Sequence, residues 1–237
     1  GSAHLVISQI YGAGGNSGAS LRNDYIEIFN PTSAPVSLSG LSVQYASSTG
    51  TSWTNNTVLP AKTLNPGQYF LIAETSGGAN GSVLPAADAT GTINLSGTAG
   101  KVALVTGTAA LPATASPTST NVIDWVAFGT GATPAEGGAP TASLSPTTAA
   151  FRSDECVDTN NNGADFSVKA AAPRNTATPL HSCSTVSNVT ASFGVTSVGP
   201  VYNRATQKYS VTYTMTNKTA AAISGPVNLE FDGLTSG

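Results

Sequence analysis

Short β-favouring runs, separated by stretches of Gly, Pro, Ser, Thr and Asn, recur along the chain. Within residues 24–30, Ile26 and Ile28 alternate with Tyr25, Glu27 and Phe29, which predicts a sandwich strand with the two isoleucines on one face. Asn30-Pro31-Thr32 ends that strand, because proline fixes φ and lacks the donor a ladder needs. Leu38-Ser39-Gly40-Leu41 then turns the chain into a strand over 42–45. Leu64-Asn65-Pro66-Gly67 has the form of a type II turn and delivers the chain into 68–73, QYFLIA, apolar enough for a central strand. Further strands are expected over 92–95, 101–105, 122–128 and 149–153, with loops over 47–56, 74–89, 106–121 and 129–146. In 122–128, Ile123, Trp125 and Ala127 share one face, and Val122, Asp124, Val126 and Phe128 the other. Trp125 is expected in the core, and Asp124 must lie near an edge or find a hydrogen-bond partner.

From residue 184 the pattern changes. The runs 186–198, 207–217 and 227–231 read as strands of a second sandwich, in which Tyr209, Val211, Tyr213 and Met215 share a face. About fifty residues are too few for a sandwich of roughly 100, so 184–237 is expected to be an incomplete module. Its open edge should be covered by the first domain or by another chain. No long amphipathic helical period occurs, and the fold class is all-β: a sandwich over 3–180 plus that incomplete module.

Composition narrows the setting. Charged residues make up only 9% of the 237, so hydroxyls, amides and backbone must keep the surface wet, as suits an extracellular module. The net charge is −3 and the nine Lys and Arg are scattered singly, which excludes a phosphate-tracking cation cluster and hence nucleic acid. No run approaches the roughly 20 apolar residues of a membrane helix. Gly1-Ser2 reads as a cloning remnant. The two cysteines, Cys156 and Cys183, favour a disulfide and an oxidising compartment, the alternative being two free thiols.

The opening stretch LVISQIYGAGG…NDYIEIFNPTSAPVSLSGLSVQY, the run VIDWVAFG, the segment CVDTNNNGADF and the closing APRN occur in that order over residues 5–179. Together they resemble the bacterial lamin-tail domain, which implies an immunoglobulin-like sandwich of the kind found in secreted and surface proteins. The segment YNRATQKYSVTYTMTNKTAAAISGPVNLEFDGL is similar to the first half of an immunoglobulin-like repeat of large bacterial surface proteins. Animal lamin tails are associated with chromatin, a role that the scattered cations here do not support.

Candidate chemistry is sparse. Gly12-Ala13-Gly14-Gly15-Asn16-Ser17-Gly18 lacks the third glycine of a dinucleotide fingerprint and precedes a strand, so it reads as a flexible connection. Asp158-Thr159-Asn160-Asn161-Asn162-Gly163 matches the first half of a calcium loop, and Asp158, Asn160, Asn162 and Asp165 are the candidate ligands of a weak calcium site. The twelfth position is Lys169, where a bidentate Glu belongs. The structural reading is a compact turn, with Asp165 capping a backbone N–H or pairing with Arg152 or Arg174. His4 and His181 are the only histidines, no nucleophile elbow occurs, and zinc ligands are too few.

No required cofactor is expected, and the chain reads as a non-catalytic scaffold, spacer or adhesion unit with a protein or surface glycan as partner. The alternative is a carbohydrate- or substrate-targeting binding module attached to a secreted hydrolase, for which Tyr11, Tyr45 and Trp53 are the candidate aromatics.

Overall fold

A computed structural model describes residues 2–117, 119–183, 189–223, 227 and 229. The chain divides into two compact units, Gly1–Ser184 and Thr185–Gly237. The first contains strands β1 (Val6–Tyr11), β2 (Tyr25–Phe29), β3 (Val36–Ser37), β4 (Leu41–Ser47), β5 (Asn55–Val58) and β6 (Thr63–Leu64). It continues with β7 (Tyr69–Ala73), β8 (Ala89–Thr90), β9 (Gly100–Thr106), β10 (Val122–Phe128), β11 (Thr148–Arg152), a single helical turn α1 (Asn162–Asp165) and β12 (Phe166–Ala170).

Two sheets form the sandwich, one of order β12-β11-β1-β2-β7-β8 and one of order β10-β9-β4-β5. Ile26, Ile28, Phe70 and Ile72 from the first pack against Val43, Val102, Leu104, Val126 and Phe128 from the second. The alternation that predicted β2 therefore selects its core face. Strict alternation fails in β1, where the register slips between Ile7 and Gln9. That bulge lets both Ile7 and Ile10 enter the core and turns Ser8 and Gln9 to Glu27 on the outer face.

The predicted turn forms at Asn65-Pro66-Gly67-Gln68, closed by Gln68 N donating to Asn65 O at 3.1 Å. Gly67 adopts φ 73°, the third-position geometry that a type II turn reserves for glycine. A Cβ there would also sit 2.5 Å from His181 O.

Three sequence expectations for the first unit's strands change. Residues 92–95 are not a strand; side-chain carboxylates rather than a neighbouring ladder take up the backbone N–H groups of Ile93 and Leu95. Part of the expected polar loop 47–56 is strand β5, whose Asn55, Asn56 and Thr57 pair with β4 at the sheet edge. Trp125 is half-buried against Trp53 and Val105 outside the sandwich interior, because the core face of β10 is the one that carries Asp124, Val126 and Phe128.

The second unit contains β13 (Phe193–Asn203) and β14 (Lys208–Asn217), paired antiparallel as a two-stranded hairpin. The expected strand 186–198 begins later, after a 3-10 turn at Thr190–Ser192, and extends past Gly199-Pro200, where the register shifts because proline has no donor for the ladder. Residues 186–188 and most of 227–231 lie outside the described residues. Val195 faces Met215 and Tyr202 faces Tyr209, with ring centroids 4.9 Å apart.

Candidate functional site

The charged groups of the first unit form buried centres whose members lie far apart in the sequence. One lies on the outer face of the six-stranded sheet. Glu27, fully buried, accepts from Ser8 Oγ at 2.5 Å, Gln9 Nε2 at 2.9 Å, Arg174 N at 2.7 Å and Arg174 Nη2 at 2.7 Å. Burial pushes its carboxyl up, and the Arg174 guanidinium pulls it back. The same guanidinium stacks 3.9 Å over the Tyr69 ring and pairs with Glu155.

Arg174 belongs to a strap, residues 171–183, that crosses this face. Gln9 Nε2 donates to Ala172 O at 2.8 Å, Thr176 N to Asp88 Oδ2 at 3.0 Å, and His181 N to Gly67 O at 2.9 Å. The strap ends at Cys183, which is disulfide-bonded to Cys156. It explains why Tyr25 and Phe29 are as buried as the isoleucines between them. Although Cys156, His181 and Cys183 lie together, the sulfurs are bonded to each other and are not thiolate ligands.

A second centre pins the 91–98 loop. Asp24 accepts from Gly14 N at 2.8 Å and Leu95 N at 2.9 Å; Glu74 accepts from Thr57 Oγ1 at 2.7 Å and Ile93 N at 2.9 Å. Burial pushes both carboxyls up to about 7. The glycine-rich connection meets this centre through Gly14, where a Cβ would lie 2.0 Å from the Asn23 carbonyl carbon. Gly14 thus serves close packing against Asn23 and Asp24, as Gly12 does against Ser96 and Gly15 against Gly78.

On the outer face of the four-stranded sheet, Lys101 is fully buried with no carboxylate partner among the described residues. Its Nζ donates to Gly50 O and Ala115 O, both at 2.8 Å, and to Thr133 O at 3.3 Å, tying three loops together.

The centre richest in chemistry surrounds Arg152 at the end of β11. Its fully buried guanidinium donates to Ile7 O at 3.0 Å, Asp124 Oδ2 at 2.9 Å, Asp165 Oδ2 at 3.2 Å and Asp158 Oδ1 at 3.3 Å. Phe166 covers it, with the ring centroid 4.6 Å from Cζ. Asp124 Oδ2 also accepts from Ile7 N at 2.6 Å, which supplies the partner that a buried aspartate requires.

The four sequence-predicted ligands separate here. Asp158 and Asp165 are drawn together by Arg152, and Asp165 further accepts from Thr159 N at 2.9 Å and Thr159 Oγ1 at 2.6 Å. Asn160 is exposed in a turn, at φ 55°. Asn162 is buried against β10: its Oδ1 accepts from Ala127 N at 2.8 Å and its Nδ2 donates to Trp125 O at 3.2 Å. Such an amide plugs an unpaired stretch of strand edge.

Two residues outside the predicted set complete the cluster. Asp124, Glu136 and Asp158 each place a carboxylate oxygen within 4.8 Å of the other two. Burial, reinforced by Asp124 and Asp158, pushes Glu136 up to about 8; burial pushes Asp124 up to about 6 against the pull of Arg152. The strand pattern flagged Asp124 as needing a partner, whereas Glu136 lies in a Gly- and Ala-rich loop without a local signal. The aromatics considered for sugar binding are internal: Tyr11 is 0%, Tyr45 7% and Trp53 1% exposed, and Trp53 Nε1 donates to Thr114 O at 2.9 Å. Among the described residues no helix is long and apolar enough to cross a membrane.

Two layers, antiparallel except where β8 runs parallel to β7, joined by buried charges and closed by a disulfide-tethered strap, define an immunoglobulin-like β-sandwich module. The lamin tail domain family matches residues 1–130, and the chain belongs to that family. A solved structure, of a DUF4876 family protein from Bacteroides thetaiotaomicron VPI-5482, is similar at 14% identity with a TM-score of 0.44, over 76% of this chain and 74% of that one. No curated protein matches.

Proposed function

We propose that the chain is a non-catalytic module of a secreted or cell-surface bacterial protein, working as a scaffold, spacer or protein-protein adhesion unit. One observation carries this reading: the buried charged side chains are engaged in joining layers, strap and loops. Glu27 holds Arg174, Arg152 gathers Asp124, Asp158 and Asp165, and Lys101 binds three carbonyls. A catalytic acid, base or nucleophile needs a reacting atom within reach, and groups committed in this way serve rigidity instead. The Cys156–Cys183 bond supports an oxidising compartment. Membership of the lamin tail domain family supports an immunoglobulin-like module. The net charge of −3 favours a protein partner over nucleic acid.

The test is an activity screen of the full chain against phosphoesters, glycosides and esters. No turnover above buffer is expected. Turnover that is lost in Asp124→Asn or Glu74→Gln, in protein that remains folded, would overturn the reading.

A further inference from the structure

We infer that Asp124, Glu136 and Asp158 hold one divalent cation of the calcium type, joining strand β10 to the loops before β11 and before α1. Four observations support this. The three carboxylates offer oxygens within 4.8 Å of one another. Calcium binds oxygen at roughly 2.3–2.6 Å, so two oxygens on one ion lie at most about 5.2 Å apart; the smaller magnesium draws them to about 4.2 Å.

Asp124 supplies the second. Its side chain is 0% exposed, and its Oδ1 has no hydrogen-bond partner among the described residues, while Oδ2 is engaged by Ile7 and Arg152. A buried carboxylate oxygen without a donor is costly, and a cation removes that cost.

Charge is the third. Four carboxylates, Asp124, Glu136, Asp158 and Asp165, surround the single guanidinium of Arg152. Among the described residues His4 is the other basic group at the cluster, its Nε2 3.5 Å from Asp158 Oδ2, and it is partly exposed. A bound divalent ion brings the cluster close to neutrality.

Access is the fourth. Glu136 is half-buried, while the Asp158 side chain is 3% exposed, so water reaches the site on the Glu136 side to complete the six to eight oxygens that calcium takes.

This ligand set differs from the one the DTNNNG spacing suggests. Asn162 spends its amide on β10 and Glu136, and Asp165 spends its carboxylate on Arg152 and Thr159, leaving Asp158 as the shared member. The competing arrangement is a proton retained on Glu136 and shared with Asp124. It would relieve the same repulsion without an ion.

The full chain, stripped with chelator and dialysed, should be titrated with calcium chloride by isothermal calorimetry and its melting followed in parallel. The expected result is one ion per chain with Kd around 10⁻⁴–10⁻³ M, as in extracellular modules, and a melting temperature several degrees higher at about 5 mM calcium than in chelator. Glu136→Gln should weaken binding at least tenfold and melt in chelator no lower than the parent, because it removes repulsion. Asn160→Ala should bind like the parent. No binding heat and no shift at about 5 mM calcium would overturn the inference in favour of the shared proton. An undiminished shift in Glu136→Gln would place the ion elsewhere and also overturn it.

Discussion

Arg174 closes on Glu27 across 147 positions of sequence, with its Nη2 2.7 Å from Oε1 and its backbone N 2.7 Å from Oε2. The pair fastens the strap over the outer face of β1, β2 and β7. Arg174→Met leaves Glu27 buried without its counter-charge and is expected to cost about 3–5 kcal/mol, read from the denaturant midpoint. The double variant Glu27→Gln with Arg174→Met should recover part of that loss, since it removes the uncompensated charge. A single variant as stable as the parent would show that the strap is held elsewhere.

The covalent end of the strap adds to this. Reducing Cys156–Cys183 removes a cross-link between positions 27 apart and should lower stability by roughly 3.5 kcal/mol on the chain-entropy account. Matched urea melts with and without reductant measure it. A midpoint unmoved by reduction would mean that the noncovalent strap contacts alone fix the segment.

The Asp24 and Glu74 carboxyls, pushed up to about 7 by burial, set a pH dependence. Unfolded carboxyls release their protons near 4, so between there and about 7 the folded chain binds more protons than the unfolded one. Their contribution to stability is present at low pH and is lost as pH rises through about 7. Melting temperature in chelator should fall from pH 5 to pH 8, and Glu74→Gln should flatten the fall. A rise over that interval would contradict the assignment.

Trp53 separates a structural role from a sugar-binding one. It is 1% exposed, packed beside Ala103, Val105 and Leu111, with Lys101 5.9 Å from its ring centroid. Trp53→Ala should cost about 3–5 kcal/mol through the cavity it leaves. A variant of parental stability that had lost glycan binding would instead support an exposed platform.

Much of the fold is legible in the sequence because one face of each strand must be apolar. Ile26 and Ile28 mark β2, the observed β10 has the predicted bounds, and Pro66-Gly67 marks its turn. What escapes local reading is whatever depends on distant partners. The β1 bulge places Ser8 and Gln9 on Glu27, and the counter-charge of that carboxylate, Arg174, arrives on the strap from 147 positions away. Residues 92–95 look like a strand, yet Asp24 and Glu74 take the place of a ladder. Trp125, the largest side chain of its strand, lies outside the sandwich because Asp124 is drawn inward by Arg152. In the Arg152 centre, Asp158 and Asp165 are visible as a local motif, whereas Glu136 becomes a neighbour only through the packing of two loops.

The most direct test of a disulfide-closed module working outside the cytoplasm is made on intact cells of the organism that produces the chain. Cells are exposed to a non-permeant protease, and the cysteines of the recovered chain are alkylated before and after reduction. The chain is expected to be accessible at the surface or released into the medium, with Cys156 and Cys183 protected from alkylation until reductant is added. A protease-protected chain in the cytosol with both thiols free would contradict it.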